Sequence, residues 1–376
     1  MRKILLLLFF SFLANARATD FSGVDSIIIN AINKHYFPGA QLLIGSNLDI
    51  IYWNCYGHFT YNDSSTVVNK QHCFDLASLT KVVATTPAIM ILYQRGQIKL
   101  EDKVIDYIPE FNNNGKENIT ILNLLLHNSG LKDWIPFYKT CKTREEVLNT
   151  IYGLNLEYPT GTKFLYSDLN FILLGVIVEK ISGKTLDEFC NDELYAKLNM
   201  PATFFKPGNE LLKYRILPTE YDSYWRNRQL QGEVHDEAAS LLGGVSGNAG
   251  LFSNIFDLYK YVQVLLIRES SNPFLFDANT IDKFTTKYSD LPYKNTRALG
   301  WDTKPEPTKF RSPCGELISE NCFGHTGYTG TSIWCDKDRN LIIIFLTNRV
   351  FPNRNNDGIK EVRPDLHNKI IQILNK

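Results

Sequence analysis

The chain has 376 residues, 44% of them hydrophobic, enough to build the core of one large domain or two intimate ones. Forty acidic residues balance forty basic ones, and no run of like charges occurs, which argues against nucleic acid or anionic lipid as a partner. Seven cysteines show no Cys-x-x-Cys and no histidine at zinc spacing, so no metal and no cofactor are expected. Their odd number leaves at least one thiol unpaired within a monomer, even in a compartment that permits disulfides.

The N-terminus carries Arg2-Lys3, an apolar run over residues 4–13, and small residues at Ala14, Ala16 and Ala18. Such a run is too short to span ~30 Å of hydrocarbon, which takes about 20 residues. It fits a secretory signal removed after residue 16 or 18. The expected location is therefore the periplasm or cell envelope of a bacterium, with no stable membrane span in the mature form.

An amphipathic helix is expected over residues 21–36, closed by Pro38-Gly39. Residues 41–44 and 50–53 flank Gly45-Ser-Asn-Leu-Asp49 as a hairpin. Helices follow over 78–95, 121–126, 144–152, 167–181 and 257–267. Strands return at 329–335 and 341–347 around a turn at 336–340, and a last helix covers 365–374. Strands at both ends with helices between predict one antiparallel sheet completed by both termini, flanked by N- and C-terminal helices, with a helical insertion. That is an α/β plus all-α architecture. The sheet domain would comprise 19–77 and 285–376, and the helical domain 78–284.

The sharpest chemical signal is Phe74-Asp-Leu-Ala-Ser-Leu-Thr-Lys81. On a helix, Ser78 and Lys81 share one face about 4.5 Å apart along the axis. A serine hydroxyl is a weak nucleophile unless a neighbouring base takes its proton. The residues that follow, 82–90, are uncharged, so this helix is expected to be buried, and a buried lysine needs a reason. Asp75 is a plausible cap, and Pro87 should kink the helix. A second element is Tyr166-Ser-Asp168, whose last two residues also read as a helix cap. A third is Phe323-Gly-His-Thr-Gly-Tyr-Thr-Gly330, opening a strand whose glycines let backbone approach a ligand. His235-Asp-Glu237, with or without His127, lacks metal-ligand spacing and reads as a loop contact near the cleft. Cys73 reads as a structural thiol or a half-cystine rather than a nucleophile.

Together and in this order, the three elements resemble the Ser-x-x-Lys, Tyr-x-Asn and Lys-Thr-Gly motifs of class C β-lactamases and low-molecular-mass penicillin-binding proteins. Leu124-Leu-Leu-His-Asn-Ser-Gly-Leu131, Tyr158-Pro-Thr-Gly-Thr162, Leu198-Asn-Met200, Leu299-Gly-Trp301 and the glycine-rich segment 243–253 are similar to further landmarks of that family. With Gly232-Glu-Val-His-Asp-Glu237 they resemble a subgroup of β-lactamase-related hydrolases linked to peptidoglycan peptides. The resemblance implies that Ser78 is acylated, that Lys81 is its neighbouring base and that Tyr166 shuttles the proton to the leaving group. It implies an oxyanion hole from the backbone N–H groups of Ser78 and Tyr328; Gly327 and Arg349, the latter just beyond the following strand, are further candidate substrate contacts.

Two positions depart from the family pattern. Asp168 stands where asparagine is usual, and His325 where lysine is usual. Lowering a lysine from ~10.4 to about 7 costs roughly 4–5 kcal/mol, and an ionised Asp168 would oppose that shift. Tyr166 would then be the better base. A protonated Asp168 would instead stand in for asparagine as a donor. The resemblance implies an exported serine hydrolase acting on a muropeptide or small molecule, of D-alanyl carboxypeptidase or muramoyl-L-alanine amidase type. The alternatives are a broad esterase or weak β-lactamase, and a penicillin-binding protein without turnover.

Overall fold

The computed structural model describes residues 19–207, 214–266, 275–308 and 311–375. The expected leader, residues 1–18, lies outside them. Helix α1 (Ser22–Asn33) leads into strands β1 (Gly39–Gly45) and β2 (Ile50–Gly57), an antiparallel hairpin with Ile44 opposite Tyr52 and a bulge at Ile44/Gly45. The chain then crosses a mainly helical region that includes α2 (Thr86–Gln94), α3 (Asp168–Ser182) and α4 (Ile255–Leu266). It returns through β3 (Cys322–Thr326), β4 (Ser332–Asp336) and β5 (Leu341–Thr347) to a last helix, α5 (Ile359–Leu374). β5 docks antiparallel beside β1, giving one five-stranded sheet of order β2-β1-β5-β4-β3. Both ends of the chain complete this mixed α/β fold.

The period of two along each strand decides which core it feeds. Leu43, Ile342, Ile344 and Leu346 face the helical region. Leu42, Ile44, Ile343 and Phe345 face the layer formed by α1 and α5. All are essentially inaccessible to water, and each such burial contributes roughly 1.5–3 kcal/mol.

Three expectations need correction. The helix expected over 78–95 is three pieces: a 3₁₀ turn at Ala77–Leu79, a π-helical turn at Lys81–Thr85, and α2. Pro87 lies in the first turn of α2, where its missing N–H is tolerated. The widened turn before it frees carbonyls that buried groups satisfy: Tyr261 donates to Val82 O at 2.7 Å and Tyr195 to Val83 O at 3.2 Å. The segment at 323–326 does not open the later strand but is itself β3, and a tight turn separates it from β4. The last helix begins at Ile359 rather than after Pro364. Burial of Ile359 and Val362 ahead of the proline offsets the one helical bond its ring forgoes.

Candidate active site

The serine turn is held under tension. Ala77 adopts φ +45°, a backbone conformation that costs a non-glycine residue about 1–3 kcal/mol. Asp75, fully buried, fixes it. One carboxylate oxygen accepts from Ala77 N at 2.8 Å and the other from His235 N at 2.7 Å.

Lys81 is inaccessible to solvent. Its Nζ donates to Ser78 Oγ at 3.0 Å, to Asp168 Oδ1 at 2.6 Å and to the backbone oxygen of Asn248 at 2.9 Å. Three acceptors match the three protons of an ammonium group. Burial alone would lower the lysine pKa, but the Asp168 carboxylate and the Tyr166 hydroxyl outweigh it, and the net shift is upward.

Asp168 reaches this position because α3 starts there. Ser167 occupies the cap position but makes no capping bond. Its hydroxyl donates to Lys132 O at 2.6 Å, and its N–H to His127 Nδ1 at 3.0 Å. The capping interpretation of Ser167-Asp168 is thereby replaced by two tertiary contacts. Tyr166 stacks on the His127 ring at 4.5 Å, and its own ring lies 5.2 Å from Lys81 Nζ. Burial raises the Tyr166 pKa, only partly countered by the charge of Lys81.

The opposite wall is the β3–β4 turn. Thr329 Oγ1 donates to Asp75 O at 2.7 Å and Thr331 Oγ1 to Leu76 O at 3.1 Å. Gly327 passes so close that a Cβ there would lie 2.4 Å from Leu76 O. Tyr328 is thus pinned beside the serine turn, and His325, at the end of β3, faces the Tyr166 ring at 6.0 Å. The fold therefore brings Ser78, Lys81, Tyr166, Asp168, His325, Gly327 and Tyr328 to one place.

The family model described as Beta-lactamase matches residues 24–366. The chain is 36% identical to the N-acetylmuramyl-L-alanine amidase of Bacillus subtilis, covering 89% of this chain and 83% of that protein. The chain belongs to the β-lactamase family. It is also 32% identical to a putative D-alanyl-D-alanine carboxypeptidase of Escherichia coli, over 83% of this chain and 79% of the relative. Among solved structures, a penicillin-binding protein homologue from Caulobacter crescentus superposes with a TM-score of 0.72 at 16% identity, covering 94% and 97% of the two chains. The hydrolase EstCE1 superposes with a TM-score of 0.72 at 18% identity, covering 93% and 97%.

Within this β-lactamase-family serine hydrolase, the two departures have physical consequences. His325 is buried, donates from Nδ1–H to Thr326 O (2.8 Å), and among the described residues leaves Nε2 without a partner. Burial, with Arg297 and Lys81 nearby and only partly countered by Asp302, pulls its pKa down to about 4. It is a neutral ring at pH 7. Arg349 does not point a free charge at the cleft: its guanidinium donates to Tyr328 O at 2.7 Å and Asn356 O at 2.6 Å.

Several participants lay outside the three motifs. The glycine-rich segment 243–253 delivers the Asn248 carbonyl to Lys81. It can do so because Gly247 and Gly175 let the loop touch α3, where a Cβ on Gly247 would sit 1.9 Å from Phe171 O. Asp236 accepts from Ala239 N at 2.8 Å and Asn248 Nδ2 at 3.2 Å. Burial and the neighbouring carboxylates of Asp168 and Glu237 raise its pKa to about 6. His235 binds Glu220 at 2.8 Å and stacks on Tyr328, and Arg354 clamps the same Glu220 at 2.6 Å. His127 and His235 therefore serve separate walls. Among the described residues, no cluster of histidine, cysteine or carboxylate side chains is arranged to hold a metal ion. Cys73 is a buried thiol whose pKa burial pushes up to about 12. All seven cysteines are unpaired thiols.

Proposed function

We propose that this hydrolase is an exported muramoyl-L-alanine amidase that works through an acyl-enzyme on Ser78. One observation carries the choice between amidase and D-alanyl carboxypeptidase: among the described residues, no cation beside the nucleophile is free to meet a substrate carboxylate. Lys81 is saturated by three protein oxygens. Arg297 is held by Asp302 and Gly300 O, Arg349 by two carbonyls, and Arg354 by Glu220. His325 is neutral. In a D-alanyl-D-alanine terminus, the atom next to the scissile nitrogen carries a free carboxylate. In a muramoyl-L-alanine bond, the corresponding carboxyl is tied up in the next peptide bond. The site suits the second.

In the reaction, Ser78 Oγ attacks the muramoyl carbonyl while its proton passes to the Tyr166 oxygen, and the Tyr166 proton passes to the leaving nitrogen. The C–N bond breaks, the L-alanyl peptide leaves, and water then hydrolyses the Ser78 ester by the reverse relay. Lys81 stays an ammonium throughout, steadying charge on Ser78 and Tyr166. The N–H groups of Ser78 and Tyr328 receive the oxyanion. The similarity to the B. subtilis amidase supports this reading.

The test is mass spectrometry of products from N-acetylmuramoyl-L-alanyl-D-isoglutamine and from a pentapeptide ending in D-alanyl-D-alanine. Release of the L-alanyl dipeptide, abolished by Ser78→Ala, is expected. Release of D-alanine alone would overturn the assignment. Export is checked separately: protein from the native cell envelope should begin at Arg17 or Thr19.

A further inference from the structure

Helix α5 buries an arginine that the mechanism above does not use. Arg363 is 7% exposed, and among the described residues no carboxylate is paired with it. Instead one guanidinium nitrogen donates to Thr331 O at 2.7 Å and to Gly327 O at 3.2 Å, and its Nε has no partner. A cation in such a place costs several kcal/mol unless its surroundings repay it. Here the surroundings are the two ends of the β3–β4 turn.

The geometry has a directional consequence. Gly327 O and Tyr328 N–H belong to the same peptide group. Gly327 O accepts both from Arg363 and from Gly330 N, the latter at 3.1 Å. Withdrawing electron density at the carbonyl end of a peptide strengthens its N–H as a donor, because hydrogen bonds in series polarise one another. An ionised donor does this more strongly than a neutral one. Arg349 acts likewise one peptide further on, at Tyr328 O.

We propose that Arg363 is a positioning residue for catalysis: it holds and polarises the Gly327–Tyr328 peptide so that the Tyr328 N–H meets the developing oxyanion as a strengthened donor. The proposal rests on the acyl-transfer reading of Ser78. It also accounts for a charge kept buried against the β3–β4 turn. Burial, and to a lesser degree Arg349, lowers the arginine pKa to about 9, which still leaves the charge in place at pH 7.

The experiment compares the full-length mature protein with Arg363→Gln and Arg363→Lys, using p-nitrophenyl acetate as substrate and phenylboronic acid as a tetrahedral mimic. Loss of a whole oxyanion donor costs about 10²–10³ in rate, so loss of its polarisation should cost about tenfold. Arg363→Gln is expected to lower kcat about tenfold and weaken boronate binding similarly, with KM unchanged. Arg363→Lys should recover most of both at pH 7, then lose rate between pH 7 and 9 as the buried amine gives up its proton. A glutamine variant with wild-type kcat, or one that changes KM alone, overturns the proposal. If the glutamine variant does not fold, a lysine variant with a flat profile from pH 7 to 9 overturns it equally. Failure of the wild type itself to acylate at Ser78, read by fluorophosphonate labelling and peptide mapping, would instead overturn the underlying reading of the site.

Discussion

The shortest of the three contacts made by Lys81 Nζ is to Asp168 Oδ1, at 2.6 Å, against 3.0 Å to Ser78 Oγ. The nucleophile's oxygen therefore accepts a hydrogen bond from the lysine rather than donating one to it. This inverts the role that a neutral lysine would have in the same place, and leaves the Tyr166 hydroxyl as the group that can take the serine proton. An aspartate in place of asparagine is enough to decide this. A protonated Asp168 acting as donor does not fit an oxygen facing an ammonium at that distance.

Asp168→Asn tests the inversion. Removing the carboxylate leaves burial as the leading influence on Lys81, so its pKa falls. Fluorophosphonate labelling of the variant should rise with pH as the lysine loses its proton, with a midpoint below the ordinary lysine value of ~10.4. The wild type should show no such rise, because its Lys81 pKa is shifted upward. Superimposable pH profiles would sink the argument.

His325→Lys tests the anion discrimination. The histidine is neutral at pH 7, and a charge-assisted hydrogen bond is worth roughly 1.5–3 kcal/mol against ~0.5–1.5 for a neutral one. The variant should gain about tenfold in kcat/KM for nitrocefin at pH 8, and much less for p-nitrophenyl acetate. Equal gains on both substrates, or wild-type penicillin turnover typical of a dedicated β-lactamase, would remove histidine as the cause.

Gly327→Ala should separate fold from activity. Its Cβ would meet Thr331 Oγ1 at 2.1 Å and Leu76 O at 2.4 Å, so the turn must move away from the serine. Overpacking of this kind costs about 1–3 kcal/mol, which a domain this size tolerates. Acylation should fall at least about a hundredfold, as when an oxyanion donor is lost, while the melting temperature drops only a few degrees. An alanine variant that labels at the wild-type rate would show that the turn does not position a donor.

How far the site could be read in advance depended on where its contacts lie along the chain. Ser78 and Lys81 are separated by one turn, so their pairing follows from local geometry. Tyr166 and Asp168 were legible through motif order, although the same Ser167-Asp168 pair satisfies every local requirement of a cap. The Asn248 carbonyl was not legible, because a backbone oxygen leaves no mark on residue type and its placement depends on Gly247 fitting against α3. Arg363 was invisible for a different reason: it sits in an ordinary helix, and its partners are carbonyls 32 and 36 residues earlier. Pro87 announced a break in the nucleophile helix, but the π turn that resulted is held by Tyr195 and Tyr261 from distant segments. Arg349 reads in sequence as a spare charge near the cleft, but the Tyr328 and Asn356 carbonyls occupy it.

The last prediction concerns acid stability and centres on His367. This residue is fully buried in α5, and among the described residues neither ring nitrogen has a partner. Burial, with the Arg363 charge beside it, pulls its pKa down to about 3. An unfolded chain would bind a proton there near pH 6.5. Between pH 6.5 and 3 the unfolded state therefore holds more protons at this position, and stability falls as pH falls, by about 1.4 kcal/mol per pH unit. His325 and His127, both buried with lowered pKa values, act in the same direction. Asp75 and Asp236, whose pKa values are raised, act in the opposite one and soften the slope. His367→Leu keeps the volume nearly constant and removes one proton from the balance. Going from pH 7 to pH 5, the wild type should lose about 2 kcal/mol more stability than the variant. Urea unfolding of both proteins at the two pH values, followed by tryptophan fluorescence, reads the difference directly. Parallel losses in the two proteins would mean that His367 takes up a proton as readily in the folded state as in the unfolded one, contrary to its buried ring.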